Sequence, residues 1–262
     1  MACLALTAAA ARAEDGAVRL HAAGSLRPAL TEVAQAFTAA HGIRVEAAFG
    51  SSGTLRERLE AGEAGGVYAS ADMGNPGALA QDGKAWPVVM FARNRLCAIA
   101  RPGLAVSSAT LLNAMLAAGT KLGTSTPGSD PAGDYAMKVF ARAGALRPGA
   151  EAALQAKAIR LTGAPSSAAA PPGRNVYAWH VLEGRADLFL AYCTAAREAA
   201  AEAPSLQILD LPPDLSVGAE YGLTALRAAD PRTTLPFVLY ILSPDSQAIL
   251  ARHGFDAPLA SR

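Results

Sequence analysis

The stretch VRLHAAGSLRPALTEVAQAFTAAHGIRVEAAFGSSGTL, Val18 to Leu55, changes its period three times in 38 residues. Val18 to Ala22 is a short β-rich run and predicts a strand. After Gly24 and Ser25 a helix begins at Pro28, with Leu30, Val33 and Phe37 on one face. Pro in the first turn and His41-Gly42 at the end supply its start and stop signals. Ile43 to Phe49 predicts a second strand and Gly50 to Gly53 a turn. Thr54 to Glu60 then predicts a helix that buries Leu55 and Leu59 and leaves Arg56, Glu57 and Arg58 outside. Strand, helix, strand, helix is the pattern of an α/β fold, in which helices cover mainly parallel sheets.

Working outward, the same alternation continues. Strands are predicted at 67–71, 96–100, 121–124, 187–192, 206–209 and 221–226, and helices near 76–81, 109–117, 132–143, 150–158, 175–182, 235–242 and 245–253. Gly254 stops the last helix. Residues 162–173 form a loop without periodicity, rich in Ser, Ala and Pro. Loops of that length inside a compact domain are often functional. No internal repeat interrupts the pattern.

The chain has 262 residues, 52% hydrophobic and 17% charged, with 23 basic side chains against 22 acidic ones and a formal charge of +1. That length suits one large or two modest domains with a real core. The charge balance argues against a nucleic-acid partner, which needs a strongly basic face, and against an acidic disordered tail. No run of about 18 to 20 strongly apolar residues predicts a spanning helix. At the N-terminus an Ala run leads into Ala11-Arg12-Ala13, an A-x-A cleavage pattern, before the chain turns polar at Glu14-Asp15-Gly16. Residues 1–13 therefore read as a secretory-signal remnant that lacks a basic n-region, and export is expected. Cys97 and Cys193 are then the cysteines of the mature chain.

The small polar residues fall where strands end and helices begin. Ser25 follows the first strand, Ser51 and Ser52 the second, and Thr124-Ser125-Thr126 with Pro131-Ala132-Gly133 the strand at 121–124. A helix N-terminus offers unpaired backbone N–H groups and the positive end of the dipole, and a hydroxyl adds another donor. Each serine alone reads as an ordinary N-cap. Three such termini at strand carboxyl ends, where open α/β sheets bind ligands, read as an anion trap without formal charge. Enzyme signatures are absent: there is no G-x-S-x-G elbow, Walker A motif, G-x-G-x-x-G or H-E-x-x-H. His41 and His253 precede Gly at helix ends and suit a capping role; His21 and His180 read as structural. Asp72 and Asp134 are isolated acids. A nucleophilic role for Ser25 or Ser52 lacks a base at recognisable spacing.

Taken in order, Ala22-Ala-Gly-Ser-Leu26, Phe49-Gly-Ser-Ser-Gly-Thr-Leu55, Val67-Tyr-Ala-Ser-Ala-Asp72, Asn94-Arg-Leu96, Asp130-Pro-Ala-Gly133, Asn175-Val176, Leu190-Ala-Tyr192 and the terminal Ser243-Pro244 through Gly254-Phe255 resemble the periplasmic molybdate-binding proteins of ABC importers. The resemblance runs from about residue 17 to 256. It implies a type II periplasmic binding protein, α/β, with two lobes around a cleft. Lobe I would comprise 14–93 and 217–262, and lobe II 94–216. It implies a binding protein and not an enzyme, periplasmic and monomeric, which hands its ligand to a membrane permease. Molybdate or tungstate would be the ligand, with no further cofactor and no metal coordinated directly by side chains. Residue by residue, the oxyanion donors would be Ser25, Ser52, Ala132, Val176 and Tyr192, with Ser51 as a further candidate.

Donors alone suit ions that are fully deprotonated near neutral pH, such as molybdate, tungstate and sulfate, whereas phosphate keeps a proton and calls for a carboxylate acceptor nearby. The sequence departs from the family at Gly65-Gly66-Val67, where an acidic residue is usual, and at Cys193-Thr194, in place of a small polar pair. The 162–173 loop is enlarged, and Arg174 brings a charge that a neutral site does not need. A second reading therefore keeps the scaffold and exchanges the anion for sulfate, a phosphonate or a small organic acid, with Arg174 as salt-bridge donor. In an oxidising compartment Cys97 and Cys193, in or at the end of two strands of one lobe, are expected to pair.

Overall fold

The computed structural model describes residues 16–258, so the secretory remnant at 1–13 lies outside the described residues. The first half runs β1 Val18–Ala23, α1 Arg27–His41, β2 Val45–Gly50, α2 Ser52–Glu60, β3 Val67–Ser70, α3 Gly74–Gln81 and β4 Val89–Ala100. There follow α4 Leu111–Leu116, β5 Leu122–Ser125, α5 Pro131–Leu146, α6 Ala150–Lys157, β6 Ile159–Thr162, α7 Val176–Leu182 and β7 Leu188–Tyr192. The chain closes with α8 Cys193–Glu202, β8 Gln207–Asp210, β9 Gly218–Ala225, α9 Pro231–Ile241 and α10 Pro244–Arg252.

The strands lie in the order β2-β1-β3-β9-β4-β7-β5-β6, with β8 also pairing β4. Two parallel groups sit at the ends, β1 with β2 and β3, and β5 with β6 and β7. Between them β9 and β4 run antiparallel to their neighbours. The sheet is thus mixed rather than mainly parallel. The cause is β4, whose first part, Val89 to Arg95, pairs with β9, and whose second part, Leu96 to Ala100, pairs with β7. One strand thereby joins two half-sheets.

Three elements differ from the sequence expectation for identifiable reasons. β4 begins seven residues before the predicted 96–100 because Arg93, Asn94 and Arg95 interrupt the apolar run. β6 is a four-residue strand beside β5, too short to show a period. α8 has the sequence CTAAREAAAE, in which Ala occupies both faces and flattens the 3.6-residue pattern. Elsewhere periodicity and packing agree. α1 buries Leu30, Val33 and Phe37, and α5 buries Tyr135, Val139 and Phe140 against the sheet. Full burial of a side chain such as Phe37 stabilises by about 1.5–3 kcal/mol, an upper range because unfolded chains already bury some surface.

Candidate functional site

The carboxyl ends of the strands point at one cavity of about 440 Å³ between the two half-sheets. β1 delivers Ser25, β2 delivers Ser51 and Ser52, β3 leads to Ala71, and β7 ends at Tyr192, all on the wall. α7 contributes Val176 from its first turn, and the 162–173 loop contributes Gly163 and Ser167. Five of the expected residues, Ser25, Ser51, Ser52, Val176 and Tyr192, together with Arg174, therefore line a common space although up to 167 positions separate them. Ala132 does not line it.

The local geometry explains what each can offer. Ser52 is fully buried at the start of α2, and its Oγ accepts the Ala71 N–H at 3.1 Å. Its hydroxyl proton is thereby left for another acceptor. Tyr68 donates to the Ser52 carbonyl at 2.6 Å and holds that turn in place. Ser51 is the N-cap residue of α2, yet its side chain makes no capping bond. Ser25 sits in a single 3-10 turn, with its Oγ 2.9 Å from the Tyr221 hydroxyl. Asn175 caps α7 through Oδ1, which accepts from Tyr177 and Ala178 and leaves the Val176 N–H, on the cavity wall, outside that cap. Tyr192 is buried, and its hydroxyl donates to the Ala71 carbonyl at 3.2 Å. Burial pushes the Tyr192 phenol well above its ordinary range, so it stays a neutral donor.

Charge distinguishes this cavity from a trap made of neutral donors. Asp130 lies on the wall and caps α5, accepting the Ala132 N–H at 3.0 Å. The backbone donor expected to meet a ligand is thus already satisfied within the protein. Burial pushes the Asp130 carboxyl upward, against the Ala132 N–H and the Ser125 hydroxyl that hold it down. Arg174 lines the cavity, but its Nε is held by Glu202 at 2.7 Å. Arg27 lies at the edge, over the Phe49 ring at 4.7 Å, and Glu198 completes the charged set.

Several functional contacts carried no sequence signal of their own. Gly53 at the start of α2 donates its N–H to the Ser129 carbonyl at 3.0 Å, and Thr54 Oγ1 lies 3.2 Å from Ser129 Oγ. With the Tyr192 bond to Ala71, these join the two sides of the cleft. Behind Ser25, Tyr221 also accepts from Asn94 Nδ2 at 3.3 Å, and the same Asn94 nitrogen reaches Thr194 Oγ1 at 2.9 Å. This chain of polar groups runs from the cavity wall into β4 and β9, the strands shared by the two half-sheets. Asp130 stands in the Asp130-Pro-Ala-Gly133 motif as the residue directly before α5.

Neither Ser25 nor Ser52 has a histidine partner among the described residues: their hydroxyls meet Tyr221 and the Ala71 N–H. His21 and His253 bond to Glu63 and Glu32 instead. Cys97 and Cys193 form a disulfide with Cα atoms 4.8 Å apart. The β4/β7 register places Leu96 opposite Tyr192, which brings Cys97 beside the first residue of α8.

Known proteins are similar in sequence and in fold. The chain is 34% identical over 212 residues to an uncharacterized protein, PM1146, of Pasteurella multocida (strain Pm70), covering 80% of this chain and 88% of that one. It is 27% identical over 253 residues to the molybdate-binding protein ModA of Escherichia coli (strain K12), covering 94% and 91% of the two chains. In fold it is similar to the sulfate-binding protein SubI of Mycobacterium tuberculosis H37Rv, with a TM-score of 0.75 at 17% identity, over 94% of this chain and 88% of that one. The architecture is that of the type II periplasmic binding proteins. The sequence pattern of the bacterial extracellular solute-binding proteins matches residues 18–256, nearly the whole described chain, and the protein belongs to that family.

Proposed function

We propose that the protein captures a small tetrahedral oxyanion in the cleft and delivers it to the membrane permease of an ABC importer, without catalysis. The observation that carries this reading is the convergence of Ser25, Ser52, Val176 and Tyr192 from four separate strand or helix ends on one cavity. Charge-assisted hydrogen bonds contribute roughly 1.5–3 kcal/mol each, so a few of them around a desolvated anion support tight binding. The described residues of the expected lobe 14–93 and 217–262 form one jaw and those of 94–216 the other, and the ion bridges them. The names of two relatives support counting molybdate and sulfate among the candidates, and tungstate is included for its likeness to molybdate. The site belongs outside the cytoplasm, and the protein acts as a monomer.

The test is thermal unfolding with molybdate, tungstate, sulfate and phosphate in turn. A ligand of the folded state raises stability by RT ln(1 + [L]/Kd), so at least one of the four ions is expected to raise Tm in proportion to the logarithm of its concentration. A Tm unmoved by all four at millimolar concentration overturns the reading.

A further inference from the structure

A cleft for a fully ionised oxyanion needs donors and gains nothing from a carboxylate. Asp130 nevertheless stands on the cavity wall, and it has removed one donor from the site by binding the Ala132 N–H through Oδ1. The Ser125 hydroxyl is a second donor to this carboxyl, and a carboxylate with roughly four lone-pair sites keeps acceptor capacity beyond those two bonds. Room for its Oδ2 is built into the backbone. Gly163, at φ 89°, is the residue where a Cβ would lie 2.5 Å from Asp130 Cβ and 2.8 Å from Oδ2. A carboxylate with a spare lone pair on the wall of a ligand cavity is an acceptor open to a donor on the ligand.

Molybdate and sulfate bring only acceptor oxygens near neutral pH, and such an oxygen against Asp130 meets like charge. Phosphate keeps a proton on at least one oxygen, and that O–H can donate to a carboxylate while the remaining oxygens accept from Ser25, Ser52 and Val176. We propose that Asp130 is a specificity-determining residue of the cleft, and that the solute is a tetrahedral oxyanion that still carries a proton, a phosphate or phosphonate group, in preference to a fully ionised one. The inference rests on the reading of the cleft as an oxyanion site. It is consistent with the other charges on the wall, where Arg27 and Arg174 are accompanied by Glu198 as well as Asp130, and where Glu202 already engages Arg174. Burial raises the Asp130 carboxyl, so its charge is costly until a ligand O–H relieves it.

Titration calorimetry on the full chain near neutral pH tests this with inorganic phosphate, arsenate and methylphosphonate as proton carriers, and sulfate and molybdate as proton-free ions of similar shape. The proton carriers are expected to bind at least about tenfold tighter than the proton-free pair, the loss that follows from an unpaired buried charge. Whether inorganic phosphate or methylphosphonate binds more tightly distinguishes a free ion from a substituted one, and either result supports the proposal. Asp130→Asn keeps an oxygen for the Ala132 N–H, and Asn is as good an N-cap as Asp, so α5 is retained. Its amide adds a donor where the carboxylate accepted, and the preference for phosphate over sulfate is expected to collapse about tenfold or more. Sulfate or molybdate binding as tightly as phosphate in the native protein, including binding that tightens as pH falls because Asp130 itself supplies the proton, overturns the proposal and leaves the oxyanion site standing. So does an unchanged phosphate-to-sulfate ratio in Asp130→Asn. No heat with any of the five ions overturns the oxyanion reading and this inference together.

Discussion

Ser52 shows how one residue serves both fold and ligand. Its oxygen accepts the buried Ala71 N–H, and its proton is free for an anion. Ser52→Ala therefore acts twice. Removing a donor to a buried anion is expected to weaken binding by roughly 1.5–3 kcal/mol, one to two decades in Kd. Leaving the Ala71 N–H without a partner is expected to lower unfolding free energy by about 1–3 kcal/mol. Calorimetry with the best-bound oxyanion checks the first figure and urea denaturation the second. Native affinity in the variant would reduce Ser52 to a structural residue. From sequence alone Ser52 reads as an N-cap or an anion donor, and the bond to Ala71 is not legible there, because it spans 19 positions and depends on β3 lying beside the α2 turn. Ala132 is a different case, because its backbone donor is consumed by Asp130 only two residues away.

At the scale of elements, the disulfide ties α8 to β4 and so holds the end of β7, where Tyr192 enters the cavity. Both cysteines are buried and the pair closes a loop of 96 residues. Replacing Cys97 and Cys193 together by Ser is expected to lower stability by about 2–5 kcal/mol, and to weaken oxyanion binding through a looser Tyr192. Denaturation of the native protein with and without reductant, beside the double variant, measures this. A midpoint that neither reduction nor substitution moves would sink the prediction. Cysteine usage suggested the pair, and the antiparallel β4/β7 register decided it, because only that register brings the two Cα atoms within disulfide reach. α8 itself escaped detection, since an Ala-rich helix that buries Ala195, Ala196 and Ala199 leaves no apolar stripe to count.

For the whole molecule, the decisive contacts cross the cleft. Gly53 sits in the first turn of α2, where an added Cβ would lie 2.6 Å from the Gly128 carbonyl oxygen and 2.8 Å from that of Ser129, both on the opposite side. Gly53→Ala is expected to hold the two sides apart, weakening oxyanion binding at least about tenfold, while alanine's better helix propensity keeps the unfolding midpoint at or above the native value. Small-angle scattering distinguishes the forms: ligand is expected to compact the native protein and to leave Gly53→Ala extended. A variant that compacts normally on saturation would remove Gly53 from the closing contact. The α/β class, most helices and strands, and the serines at strand ends were legible in the sequence, because amphipathic period and capping chemistry are local and leave marks within a dozen residues. The mixed sheet, the crossing role of β4, the contacts of Gly53 with Ser129, and the placing of Asp130 on the cavity wall were decided by tertiary structure alone. Each depends on which distant segments share a register or face one another across the cleft, and hydrogen-bond partners separated by tens of residues impose no spacing on the chain that joins them.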